Sequence, residues 1–236
     1  MKTVLIIGAS RGIGLEFVRQ HREAGDAVTA TARDDAGLAR IQAQGAAALR
    51  LDLLDAAGAA GLARLIGGDG DGDGDGDGDG DGQAFDTIVL NAGVYGPRSV
   101  ALQTPTVDEF DTVMHTNVLG AMRVLPHLVH ALAPGAKLAV ISSRMGSIGL
   151  RDSPSGWLYR ASKAALNSVL KDASMALAGK AVCVAFHPGW VRTDMGGAGA
   201  DIEVSQSVVD MRRTLAGLTA RDNGRFINHD GAALAW

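Results

Sequence analysis

The stretch Val4-Leu5-Ile6-Ile7-Gly8-Ala9-Ser10-Arg11-Gly12-Ile13-Gly14 decides the fold. Four apolar residues with no polar alternation read as a strand covered on both faces. They run straight into three glycines spaced Gly-x3-Gly-x-Gly, and the following Ile13, Phe17 and Val18 have helical spacing. Glycines there let the backbone turn tightly and approach a pyrophosphate, which the unpaired N–H groups and positive dipole of a helix amino terminus would hold. The commoner dinucleotide spacing is Gly-x-Gly-x2-Gly, and a plain glycine-rich turn also meets this pattern. Its place between a buried strand and a helix favours the phosphate reading.

Outward from that stretch, short apolar runs recur at Val28 to Ala32, Leu49 to Leu51, Ile88 to Leu90, Leu138 to Ile141 and Val182 to Phe186. Segments with helical spacing lie between them, such as Leu62, Leu65 and Ile66, or Ala164, Leu166, Val169 and Leu170. Strand and helix in alternation predict an α/β fold with a doubly wound parallel sheet. A chain of 236 residues suits one such domain, 1–236. The exception is Gly68 to Gly82, a strict alternation of glycine and aspartate with no apolar surface and maximal backbone entropy. It reads as a mobile insertion at the amino ends of the strands, away from any ligand crevice, and dispensable for activity. A calcium loop would need ligands of mixed type and a closing glutamate, which the repeat lacks.

The formal charge is −4, and removing the repeat's seven aspartates turns it into +3, so neither value points to nucleic acid. The single cysteine, Cys183, can close no intrachain disulfide and suggests no zinc site. No apolar run approaches the roughly 20 residues needed to span a bilayer. A soluble, cytoplasmic protein without membrane or metal partners is expected.

Cofactor choice rests on the end of the second strand. A NAD-selecting domain places an acid there for the ribose hydroxyls, whereas this chain has Ala32 followed by Arg33. A guanidinium suits a 2′-phosphate, and Arg11 in the glycine loop could add a second cation, so NADP(H) is favoured over NAD(H). Asp34 and Asp35 follow at once and could neutralise Arg33 instead.

Tyr159 and Lys163 are four apart at the start of a helical stretch, which puts their side chains on one face. A phenol titrates near pH 10, and a neighbouring ammonium favours tyrosinate, bringing the group toward acid–base use. A surface pair of that kind would mean nothing. Ser142 and Ser143, however, stand at the carboxyl end of the Leu138 to Ile141 strand, where a doubly wound fold has its ligand crevice.

Taken together, Gly8-x3-Gly12-x-Gly14, Asn91-Ala92-Gly93, Asn117, Ser143 and Tyr159-x3-Lys163 resemble the short-chain dehydrogenase/reductase family along essentially the whole chain. The resemblance implies a Rossmann fold of seven strands with helices on both faces. It implies a tetrad in which Tyr159 is the general acid, Lys163 lowers its pKa and grips the nicotinamide ribose, Ser143 orients a carbonyl and Asn117 holds a relay water. It further implies that Gly8, Ser10, Arg11, Gly12, Ile13, Gly14 and Arg33 hold the phosphates, while Asp52 and Leu53 take the adenine. Asn91, Ala92 and Gly93 would line the adenosine, and Pro188, Gly189, Val191 and Thr193 the carboxamide. Asp52 and Thr193 could equally be helix caps.

The Pro188-Gly189-Trp190-Val191 segment, Asp194-Met195-Gly196-Gly197 and the long Ser143-to-Tyr159 spacing look like the carbonyl-reductase and C-factor-like branch. A ketone or aldehyde, or the corresponding alcohol, is then the expected substrate, and a homodimer or homotetramer the expected assembly. The competing expectation is a non-catalytic dinucleotide-binding regulator on the same fold. His127 and His130 lack a third metal ligand, His187 reads as structural, Cys183 as a small hydrophobe, and Trp157 as pocket or core.

Overall fold

In the computed structural model, residues 1–55, 57, 58, 61, 62, 66, 84–100 and 102–236 are described. The Gly68 to Gly82 repeat and Leu65 lie outside them. Seven strands form one parallel sheet: β1 Thr3–Ile7, β2 Ala27–Ala32, β3 Ala47–Arg50, β4 Phe85–Leu90, β5 Leu132–Ile141, β6 Ala181–His187 and β7 Arg225–Asn228. Their order is β3-β2-β1-β4-β5-β6-β7, with every neighbouring pair parallel. Successive strands lie outward from β1 to β3 and then outward from β4 to β7, so the winding reverses between β1 and β4. The carboxyl ends of those two strands frame the ligand crevice of such a sheet.

The helices are α1 Gly12–Glu23, α2 Asp35–Ala43, α3 Val107–Met114, α4 Gly120–Leu128, α5 Trp157–Ala176 and α6 Val204–Gly217, and residues 57, 58, 61, 62 and 66 are also helical. Period-two alternation along β1 sends Val4 and Ile6 to one face and Leu5 and Ile7 to the other. The first pair packs with Phe17 and Val18 of α1 and Val208, Met211 and Leu215 of α6. The second packs with Val124 and Leu128 of α4 and Leu166 and Leu170 of α5. Both faces are therefore covered, which is why the central strands carry apolar residues on both faces.

Three strands depart from the expected pattern. β3 is half-exposed, because it closes the sheet on one edge and only β2 pairs with it. β7 has only Phe226 and Ile227 to bury, too few to register as an apolar run, yet it pairs with β6 and completes the seven. β5 begins at Leu132, six residues before its buried portion, and runs past the exposed Pro134 and Gly135.

Candidate active site

The glycine loop is tight because there is no room for side chains. A Cβ on Gly8 would sit 2.7 Å from the Ala92 Cα, and one on Gly14 would overlap the Gly8 carbonyl and lie 2.7 Å from the Asn91 amide nitrogen. Gly8 and Gly12 also have φ of +88° and +56°, the left-handed region that favours glycine. Asn91 binds the turn to β4 by donating to the Gly8 carbonyl at 2.6 Å, and the Gly8 N–H donates to the Thr31 hydroxyl. Arg11 precedes α1 and its side chain makes no capping bond, so no side chain at the cap covers the first-turn N–H groups. An uncapped helix start above a glycine cradle fits a dinucleotide pyrophosphate.

The cations are distributed differently from the sequence expectation. Arg11 pairs with Asp194 at 2.7 Å, with both side chains about three-quarters exposed, and so bridges the glycine loop to the segment after β6. Arg33 is exposed, and neither acid takes it: Asp34 caps α2 through the Gly37 N–H, and Asp35 pairs with Arg50. Arg33 has no ion-pair partner among the described residues. Arg40, which the sequence gave no reason to single out, donates from Nε to the Ser10 carbonyl at 2.7 Å. Asp52 accepts the Leu54 N–H, a local turn like the capping alternative, and Leu53 is buried against Gly120. Ile13 packs beside the α1-side core.

At the carboxyl ends of β4 and β5 the polar side chains converge. Asn117 stands in a π-helical turn, His115–Leu119, between α3 and α4. Its side chain is 1% exposed: Oδ1 accepts the Val94 N–H, and Nδ2 spends both its donors on the Val94 carbonyl and the Ser162 hydroxyl. A Cβ on Gly93 would lie 3.2 Å from Asn117 Oδ1 and 3.3 Å from Lys163 Nζ, so these three residues meet at one point.

Lys163 is 3% exposed, donates to the Ile141 carbonyl at 2.9 Å, and lies 5.7 Å from the Tyr159 ring centre. Burial alone lowers its pKa to about 8. Tyr159 moves the opposite way from the expectation. Burial pushes its hydroxyl up, a hydrogen bond with Ser143 pulls it back in part, and Tyr95 pushes it further up. Desolvation outweighs any help from a lysine whose own charge is disfavoured.

Tyr95 is a residue missed in the sequence. Its ring stacks on Tyr159 with centres 4.5 Å apart, its hydroxyl lies 2.6 Å from where a Cβ of Gly156 would be, and the Arg98 guanidinium lies 5.1 Å from its ring centre. Arg98 also donates to the Met195 carbonyl, and the Met195 sulfur is 4.0 Å from the Tyr159 hydroxyl. The only available signal was an aromatic four residues after Asn91.

The segment after β6 is a bound loop. The Pro188 carbonyl accepts the Ser207 hydroxyl, Val191 bridges to Ile202, and Thr193 accepts the Gly196 N–H, so Thr193 closes a turn rather than capping a helix. Gly189 lies against His229, which pairs with Asp210. His187 is held neutral, its pKa lowered to about 4, mainly by burial. Trp157 donates to the Gln103 carbonyl, and Cys183 is a buried thiol pushed up to about 11. No helix among the described residues is long and apolar enough to cross a membrane.

This sheet order, glycine cradle and tyrosine–lysine–serine cluster define a nicotinamide-type oxidoreductase scaffold. The chain belongs to the short-chain dehydrogenase/reductase family: the family model described as enoyl-(acyl carrier protein) reductase matches residues 8–222. It is 36% identical over 154 residues to the C-signal of Myxococcus xanthus, covering 64% of this chain and 92% of that one. Its fold matches a short-chain dehydrogenase/reductase from Burkholderia multivorans with bound NADP, at a TM-score of 0.86 and 28% identity, over 100% and 99% of the two chains. It likewise matches the carbonyl reductase Sniffer of D. melanogaster, at a TM-score of 0.83 and 29% identity, over the whole of both.

Proposed function

We propose that this chain is an NADP(H)-dependent oxidoreductase that interconverts a ketone or aldehyde and its alcohol, in the manner of a carbonyl reductase. The observation that carries the reading is the convergence of Tyr159, Ser143 and the buried Lys163, whose ammonium lies 5.7 Å from the Tyr159 ring centre, at the crevice where the sheet winding reverses. Arg33, which has no ion-pair partner among the described residues, supports with Arg40 at the Ser10 carbonyl a 2′-phosphate over a bare ribose. The NADP in the Burkholderia structure agrees with that preference.

A reduced nicotinamide, when bound, supplies the hydride that the carbonyl carbon accepts. Gly8, Gly12 and Gly14 would admit the pyrophosphate, and the start of α1 would hold it. Ser143 donates a hydrogen bond to the carbonyl oxygen and Tyr159 delivers the proton from its hydroxyl, so the oxygen leaves as a neutral alcohol. A phenol that holds its proton suits this direction. Lys163 places an ammonium beside the tyrosinate left behind and disfavours free charge build-up. Tyr95 and Met195 exclude water from the Tyr159 hydroxyl. The same reading places the protein in the cytoplasm, as a homodimer or homotetramer and a single domain.

The test is titration with NADPH and NADH, followed by absorbance at the nicotinamide band across a panel of ketones and aldehydes. Tighter NADPH binding with consumption on at least one carbonyl is expected. The resemblance to the C-signal favours a second reading, a dinucleotide-binding regulator, which requires NADPH binding with no turnover across the panel.

A further inference from the structure

Further along the catalytic helix, lined by Ala164, Asn167, Ser168 and Lys171, lies a second concavity. It is an open groove of about 290 Å³ between α5 and the segment that holds Trp236, just below the size range of small-molecule sites. Its apolar walls are Ile148, 72% exposed, and Trp236, 41% exposed, and the Trp236 ring is braced by stacking on Phe226 at 5.5 Å. Trp236 is also held by its carbonyl, which accepts the Ile148 and Gly149 N–H groups and the Ser147 hydroxyl, so this wall is fixed rather than a dangling side chain.

Asn167 lines the same concavity and is 4% exposed. Its Oδ1 accepts the Ser142 hydroxyl at 2.6 Å, but its Nδ2 has no partner among the described residues. Turning the amide over would only exchange which of its two atoms is left alone. A buried amide N–H without an acceptor costs roughly 1–3 kcal/mol, a cost that a ligand oxygen at this point would relieve. One turn along α5 is Lys171, the one charged side chain lining the concavity among the described residues, and its only hydrogen bond is a long one of 3.4 Å to the Gly224 carbonyl.

From this combination we infer that the groove between α5 and Trp236 is a second ligand site, for a small molecule with an apolar, preferably aromatic, body and a carboxylate. The body lies against Ile148 and Trp236, and the carboxylate takes the Asn167 N–H and the Lys171 ammonium. The site is separate from the dinucleotide crevice, although its wall adjoins the catalytic segment. Asn167 holds Ser142, the neighbour of Ser143, and Gly146 in the same wall packs directly on the Lys163 backbone.

The test uses the full chain, with and without saturating NADPH, titrated by calorimetry with 4-phenylbutyrate and with the neutral 4-phenylbutan-1-ol. Phenylbutyrate is expected to bind about equally in both conditions and more tightly than the alcohol. Lys171→Ala should weaken phenylbutyrate about fivefold, leave the alcohol unchanged and leave carbonyl turnover intact. Ala164→Phe, which fills the concavity, should abolish both, and Ile148→Asp on the exposed wall serves if Ala164→Phe does not fold. Displacement by NADPH, or binding insensitive to Lys171→Ala together with Ala164→Phe or Ile148→Asp, overturns the inference. So does sedimentation in which Ile148→Asp converts a dimer to monomers, because the groove is then a face between copies of this chain.

Discussion

The β1–α1–β2 half and the β4–β7 half of the molecule build their parts of the crevice by opposite means. In the first, the work is done by atoms that are missing: no Cβ at Gly8, Gly12 or Gly14, and no side-chain cap on α1. In the second it is done by polar side chains gathered in a mostly dry interior, with Asn117, Ser142, Ser143, Ser162, Lys163 and Asn167 all buried. The cradle should fail when volume is added. The catalytic side should become more stable when its buried charge is removed, at the cost of chemistry.

The largest effect is expected at Gly14→Ala. The added methyl overlaps the Gly8 carbonyl and crowds Asn91, which backbone on both sides cannot relieve, so unfolding in urea should show a loss of about 3 kcal/mol or more, with NADPH binding lost as well.

Lys163→Met should do the reverse. A lysine whose pKa falls from 10.5 to about 8 on folding carries a penalty of about 3 kcal/mol at neutral pH, so an isosteric neutral side chain should stabilise the fold by about 1–3 kcal/mol while removing turnover. The pH dependence has a definite sign. Between pH 8 and about 10.5 the unfolded chain binds the extra proton, so wild-type stability rises through that window from this group. Tyr159, whose folded pKa is raised, opposes it only above about pH 10. Thermal melts at pH 7, 8 and 9 should therefore climb in the wild type and stay flatter in Lys163→Met.

Arg33→Ala should weaken NADPH about tenfold and NADH hardly at all, measured by fluorescence titration, because a single exposed guanidinium on a phosphate contributes about 1–2 kcal/mol. Smallest of all is Asp194→Asn. It breaks the exposed pair with Arg11 and should shift stability by less than about 0.5 kcal/mol. A larger shift would mean that the cradle and the segment after β6 are coupled more strongly than a surface pair allows.

What could be read from the sequence follows the same division. The glycine loop and the Tyr159–Lys163 pair were legible because their constraints are local, a turn and one helical step. Tyr95 against Tyr159 and Gly156, or Arg11 against Asp194, join residues that only the folded chain brings together. The exposure of β3 is not legible because an edge position leaves no mark on four residues, and β7 has too little apolar sequence to be seen as a run. The direction of the Tyr159 pKa was missed for a further reason: a neighbouring lysine is visible in sequence, whereas the desolvation that outweighs it is not. The orphaned amide of Asn167 belongs to the same category.

The central claim is that Tyr159 supplies the proton in a carbonyl reduction, and Tyr159→Phe tests it most directly. With NADPH and the best ketone or aldehyde of the panel, the account predicts that kcat falls by about a thousandfold or more while NADPH affinity stays within a few fold. Turnover by the Phe variant at the wild-type rate would contradict it.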